Sequence, residues 1–158
     1  MRRIIPLFAL CLVIPSACDY IPETDYSSFA DIPESGMPQN WEYDFPATEK
    51  DSSSVITGRH DVVIVVRYTD ECPSSSILLN IEELSLAHEV PDSTTVRVQL
   101  FSDKGKPLGN GVYGIFETTD TIHHNVVIPD GYTLSVSSPH RQEETKGIKS
   151  VGLVLPRR

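Results

Sequence analysis

The chain has 158 residues, enough for one domain and too few for two of ordinary size. Its 22 acidic residues outnumber 13 basic ones, for a formal charge of -9. That balance argues against nucleic acid and anionic head groups as electrostatic partners, since both select for Lys and Arg, while 39% hydrophobic residues mark a folding chain and not a disordered one.

Arg2 and Arg3 precede an apolar run from Ile4 to Ile14. The run has the length of a signal peptide and falls short of the about 20 apolar residues that a membrane-spanning helix needs. Pro15-Ser16-Ala17-Cys18 follows, small residues leading into a cysteine, and this resembles a bacterial lipobox with Pro15 where an aliphatic residue is usual. The resemblance implies that residues 1–17 are a lipoprotein signal peptide and that Cys18 is acylated, with palmitate-type chains holding the protein on a lipid bilayer. Simple secretion, with Cys18 left as an ordinary thiol, is the alternative. Acyl chains at about 0.8 kcal/mol per buried methylene make the anchored form effectively permanent.

Residues 18–40 contain Asp19, Glu23, Asp25, Asp31 and Glu34, no Lys or Arg, and Pro22, Pro33 and Pro38. Such a stretch is expected to be an acidic tether; extended at about 3.1 Å per residue it would hold the domain up to roughly 60 Å from the membrane.

From residue 41 to residue 158 the apolar period is mostly two, the mark of half-buried strands. Trp41, Tyr43 and Phe45 alternate with acids; Val96, Val98 and Leu100 alternate with polar residues; so do Tyr132, Leu134 and Val136. Ile122, His124, Val126 and Ile128 continue the pattern, as does the run through Val151, Leu153 and Leu155. Val62 to Val66 is apolar on both faces and is expected at the centre of a sheet. Ser76 to Ser85 fits a helical spacing as well but is assigned to a strand, and Gly109, Gly111 and Gly114 thin the side chains of another, as at bulges and close backbone approaches. Ser102-Asp103-Lys104-Gly105 and Pro129-Asp130-Gly131 have turn chemistry and are expected to be hairpin connections. About eight strands result. The expected fold is all-β, an antiparallel β-sandwich for which jelly-roll connectivity is the favoured closure.

Catalytic motifs are scarce. Phosphate loops, zinc-type cysteine pairs and nucleophile elbows do not occur. His123 and His124 are strand neighbours that point to opposite faces, one to solvent and one to the core, so they cannot share a metal. His88, beside Pro91, and His140, after Pro139, read as solvated loop histidines. Glu82-Glu83 and Glu143-Glu144 read as solvating charges. Cys11 falls in the leader and Cys18 would carry lipid, which leaves Cys72 without a disulfide partner and without a basic neighbour to activate it. No metal, cofactor or enzymatic activity is expected. Trp41, Tyr43, Tyr68, Tyr113, Phe116 and Tyr132 fit either a core or a platform for stacking sugars, so a surface-displayed glycan-binding sandwich is the alternative function.

Several segments together resemble the gliding-motility lipoprotein GldH family of Bacteroidetes. They are the lipobox-like Cys18, Trp41 to Phe45, Val62 to Arg67, Pro91-Asp92-Ser93-Thr94, the run Leu100 to Gly111 with its Asp103 turn and Gly109-Asn110-Gly111 ending, Pro129 to Tyr132, His140-Arg141, and Gly147 to Leu153. The chain departs from the family pattern at Cys72-Pro73-Ser74-Ser75-Ser76, where aromatics are usual, and at Pro107, where Trp is common. The resemblance implies a non-catalytic envelope lipoprotein, and the outer membrane, with the domain facing the periplasm, is the favoured location over the inner membrane. Its partners would be other envelope proteins of gliding machinery and the associated protein secretion system. Arg67, Asp103, Gly109, Gly111, Arg141, Gly147 and Gly152 are the family-motif residues that become candidates for interaction, the glycines having turn and packing roles as the alternative.

Overall fold

A computed structural model describes residues 24–47, 56, 58–85 and 88–156. The signal peptide, Cys18 and tether residues 18–23 lie outside the described residues. Nine strands are present among the described ones: β1 (Thr24–Asp31), β2 (Glu42–Pro46), β3 (Arg59–Thr69), β4 (Ser76–Ser85), β5 (His88–Gln99), β6 (Asn110–Val112), β7 (Ile115–Val127), β8 (Thr133–Ser137) and β9 (Ile148–Pro156). A single 3₁₀ turn spans Gln142–Thr145.

The strands form two antiparallel sheets, β1-β9-β3-β7-β6 and β2-β8-β4-β5. With the short β6 set aside, the chain is one long hairpin folded over on itself. β4 pairs with β5, β3 with β7, β2 with β8 and β1 with β9, and successive pairs alternate between the sheets. This is jelly-roll connectivity in an all-β sandwich.

β3 lies at the centre of the five-stranded sheet because its side chains are apolar on both faces. Val62, Ile64, Val66 and Tyr68 are fully buried toward the other sheet, and Val65 is 4% exposed on the outer face. The inner faces meet in a core that includes Val151, Leu153 and Leu155 from β9, Ile77, Leu79 and Ile81 from β4, and Leu134 and Val136 from β8. Each such Leu or Ile contributes about 1.5–3 kcal/mol on burial.

All eight expected strands are present, and the ninth, β1, comes from the acidic segment. Thr24 to Asp31 pairs along β9 from Pro156 to Ser150 and places Ala30 in the core. Ile32 and Met37 are buried as well, so from Thr24 onward this stretch belongs to the domain and is not a tether. An edge strand needs one ladder of backbone bonds and a few inward side chains, and an exposed Asp31 at its end does not prevent either.

Three local expectations are corrected. The two Asp-Gly-type turns do not join strands of one sheet: Pro129-Asp130-Gly131 carries the chain from β7 to β8 in the opposite sheet, and Ser102–Gly105 is a local loop between β5 and β6, closed by the bridge between Phe101 and Pro107. Turn residues dictate a reversal of direction and leave the destination sheet to the core. His88 to Pro91 is not loop but the start of β5. Of the three alternating aromatics at and before β2 only Phe45 is fully buried; Trp41 packs partly against the core and Tyr43 is 40% exposed on this five-residue edge strand.

The strand registers define two ends. Thr24 pairs with Pro156, Arg59 with Val127 and Leu84 with Thr133, so these residues share one end, which also holds the β4–β5 and β7–β8 turns. The β3–β4, β5–β6, β6–β7 and β8–β9 connections lie at the opposite, distal end.

Candidate interaction site

The distal end is built around Tyr68. Its side chain is fully buried, and its hydroxyl donates to the carbonyl of Leu100 while accepting from the backbone N–H groups of Leu108 at 3.2 Å and Gly109 at 3.3 Å. One phenol thus fixes the loop that leads from β5 into β6. Phe101 and Phe116 stack at its sides, with ring centroids 5.3 Å and 5.8 Å away. Gly109 and Gly111 lie where a Cβ would meet the backbone of Glu117 at 2.1 Å and the Phe116 ring at 2.4 Å. Their role is close approach of β6 to β7.

Beyond this packed base the β6–β7 hairpin projects into solvent. Tyr113 and Gly114 form its two-residue turn with φ of 53° and 79°, both left-handed, which matches the twist of paired strands. Glycine takes this conformation without cost, and tyrosine does not. Tyr113 is nonetheless fully exposed, and Leu108, Val112 and Ile115 around it are 53%, 69% and 44% exposed. The result is an apolar prominence on a packed base, tipped by a solvated tyrosine in a left-handed conformation.

On the outer face of the same sheet, a row of side chains crosses four strands. The Arg67 guanidinium on β3 donates to Glu117 on β7 at 2.8 Å and lies 4.0 Å above the ring of Phe29 on β1. The ring occupies the place of a side chain on Gly152, which pairs with Phe29 across β1 and β9. Arg67 and Gly152 are therefore brought together, through a residue that the sequence did not single out. Asp103 is exposed in its turn. Gly147, at φ 88°, accepts from the Thr69 N–H at 2.9 Å while its α-carbon abuts the backbone of Cys72, so it closes the join between the β3–β4 connection and β9.

Arg141 is exposed at the start of the 3₁₀ turn, and its backbone N–H donates to Glu144 at 2.9 Å. That bond, with a second from His140, holds the Glu144 carboxyl below its ordinary range. His140 is not a solvated loop residue. Its Nε2 accepts from the Leu78 backbone N–H at 2.9 Å, which assigns the proton to Nδ1, and Nδ1 donates to Glu144 at 3.2 Å. The ring so extends the hydrogen bonding of β4 past the point where β8 has ended. Cys72 is buried, and burial pushes its thiol above the ordinary value.

At the other end, a cavity of about 360 Å³ lies between the sheets. Glu83 on β4 is held from two sides, by His123 on β7 at 2.6 Å and by the hydroxyl of Tyr132 at 3.2 Å. Burial, reinforced by the Glu83 charge, pushes the Tyr132 hydroxyl far above its ordinary value of 10. His123 and His124 face opposite sides as expected, but the inward one meets this carboxylate at the sandwich edge and not the apolar core; His124 stands 3.7 Å from Asp61. No cluster of three His, Cys, Asp or Glu able to hold a metal occurs among the described residues. Nothing in sequence spacing announces the Glu83–His123–Tyr132 group, whose members come from β4, β7 and the β7–β8 connection. The Tyr113-Gly114 step between two short β-patterned stretches is a local signal for the hairpin tip.

The aromatic residues do not assemble into a stacking platform. Tyr132 is 5% exposed at one end, Tyr113 stands alone at the other, and Trp41 packs against the core.

Comparison with curated proteins and with solved structures gives no match. A comparison with family models matches the GldH lipoprotein family over residues 24–155, from the first residue of β1 almost to the end of β9, so that the family's domain and the jelly-roll sandwich coincide. The chain belongs to the GldH lipoprotein family.

Proposed function

We propose that this protein is an envelope lipoprotein anchored through acylated Cys18, in the outer membrane and facing the periplasm, and that it acts without catalysis as an interaction component of gliding machinery and the associated protein secretion system. The observation that carries the proposal is the family match over the whole sandwich, preceded by a lipobox-like Pro15-Ser16-Ala17-Cys18. The anchor enters at one end of the domain, and the apolar hairpin around Tyr113 projects from the other. A lipid-held domain of this shape offers that hairpin to proteins away from the membrane. No helix among the described residues is long and apolar enough to cross a membrane.

Two measurements test this. Metabolic labelling with a palmitate analogue is expected to mark the wild-type protein and not Cys18→Ser; equal labelling of both, or of neither, removes the anchor. A photo-crosslinking residue at position 113 in living cells is expected to capture envelope proteins of the motility or secretion machinery. Capture of none under mild crosslinking sinks the interaction role.

A further inference from the structure

Thr24 is already β1, so only the five residues 19–23, six residue steps from Cys18, separate the proposed lipid from the folded domain. A chain spans at most about 3.3–3.6 Å per residue, so the proximal end of the sandwich is held within roughly 20 Å of the lipidated residue.

The proximal end carries its own apolar surface. Val127, the last residue of β7, is 61% exposed, and Leu84, near the end of β4, is 40% exposed. The 360 Å³ cavity opens beside them, walled by Val126, Ile128 and Pro129, with Glu83 and His123 on its inner side. Arg59, exposed beside Val127 in the β3–β7 register, donates to the Asn125 carbonyl at 2.8 Å, and the carboxylates of Glu83 and Asp92 line the cavity, so charge does not select an anionic surface here. What the end offers is apolar contact.

We propose that this end is a lipid-contacting surface: Leu84, Val127 and the cavity mouth between them rest in the interfacial zone of the bilayer and receive acyl-chain segments of neutral phospholipid. The inference rests on acylation of Cys18, since two side chains bind a bilayer weakly by themselves. The tether raises their local concentration at the membrane, which turns a weak contact into a persistent one. The sandwich then stands upright, with Tyr113 at the far end from the lipid.

The test uses the full lipidated chain reconstituted in phosphatidylcholine vesicles that contain doxyl-labelled lipid. Leu84→Cys, Val127→Cys and Tyr113→Cys, each with Cys72→Ser, carry an environment-sensitive nitrobenzoxadiazole label. Labels at 84 and 127 are expected to shift to the blue and to be quenched at least twofold more than the label at 113. Equal quenching at all three positions in protein that floats with the vesicles overturns the lipid-contacting surface and leaves the anchor intact. Failure of the wild-type chain to float, or equal flotation of Cys18→Ser, overturns the anchor and this inference with it. Leu84→Asp combined with Val127→Asp supplies a second check: flotation is expected to persist while a label at position 59, introduced by Arg59→Cys with Cys72→Ser, loses its quenching, and unchanged quenching there argues against the contact.

Discussion

The guanidinium of Arg67 lies 4.0 Å above the ring of Phe29, and that ring fills the space a Cβ on Gly152 would need, its nearest atom 2.3 Å from that position. A glycine and an arginine that the sequence singles out thus meet through one aromatic side chain on the edge strand. Gly152→Ala is expected to force the ring outward and to lower stability by about 1–3 kcal/mol, as overpacking does. Arg67→Ala removes contacts that remain partly in water and is expected to cost roughly 1 kcal/mol or less. Urea midpoints of the two variants check the order; a Gly152→Ala protein as stable as wild type would show that Phe29 is free to move.

Tyr68→Phe keeps the stacked ring and deletes the hydroxyl. The Leu100 carbonyl and the Leu108 and Gly109 N–H groups lose a shared partner in a largely buried place, although Leu108 N–H retains Leu100 at 2.9 Å. The expected cost is about 1–3 kcal/mol. Hydrogen exchange of the Gly109 amide should quicken in the same variant, and an unchanged rate would separate the hydroxyl from the order of this loop.

At the hairpin tip, stability and exposure pull in opposite directions. Tyr113→Asn gives the Asn-Gly pair that a two-residue turn with two left-handed positions prefers, and stability is expected to rise by about 0.5–1 kcal/mol. Capture of partners through the tip is expected to fall in the same variant. A destabilised Tyr113→Asn protein would mean that the tyrosine ring packs in a way its full exposure does not reveal.

Tyr132 and Glu144 set the pH response from opposite sides. The Tyr132 hydroxyl is held above its ordinary value of 10 by burial first and Glu83 second, so its contribution is complete below pH 10 and is lost as pH rises toward the folded-state value. Tyr132→Phe is expected to flatten the loss of stability above pH 10. The Glu144 carboxyl is held below its ordinary value of 4.5 by the Arg141 backbone and His140; its contribution is present above pH 4.5 and is lost as pH falls through the lowered value. Glu144→Gln is expected to flatten the acid limb slightly, the group being at the surface. Denaturation midpoints across pH 2–11 test both signs, and steeper limbs in the variants would contradict them.

Where the sequence was legible, one segment carried its own signal. β3 announces a central position because Val62 to Val66 is apolar on both faces, and β5, β8 and β9 announce themselves by alternation, whereas the apolar residues of β4 fit a helical spacing as well. β1 escaped because acids and prolines dominate its surroundings, while its place is set by a backbone ladder to β9 at the other end of the chain. The candidate site divides in the same way. Gly109, Gly111 and Gly147 stand out in sequence and prove to be points of close approach. Phe29 over Gly152, His140 against Leu78 and Glu83 between His123 and Tyr132 are pairings made by the fold across distant strands, and residue spacing holds no trace of them.

β9 lies between β1 and β3, with Thr24 opposite Pro156. The first strand made must therefore wait for the last. Until the C-terminal residues arrive, β1 and β3 each show an unpaired edge to any other strand nearby, and the five-stranded sheet has a gap between its edge strand and its central one. A chain with this order cannot fold piecemeal from its N-terminus as it emerges: its final step is a closure, and a truncation of only the last strand leaves two adhesive edges in place of a slightly smaller domain.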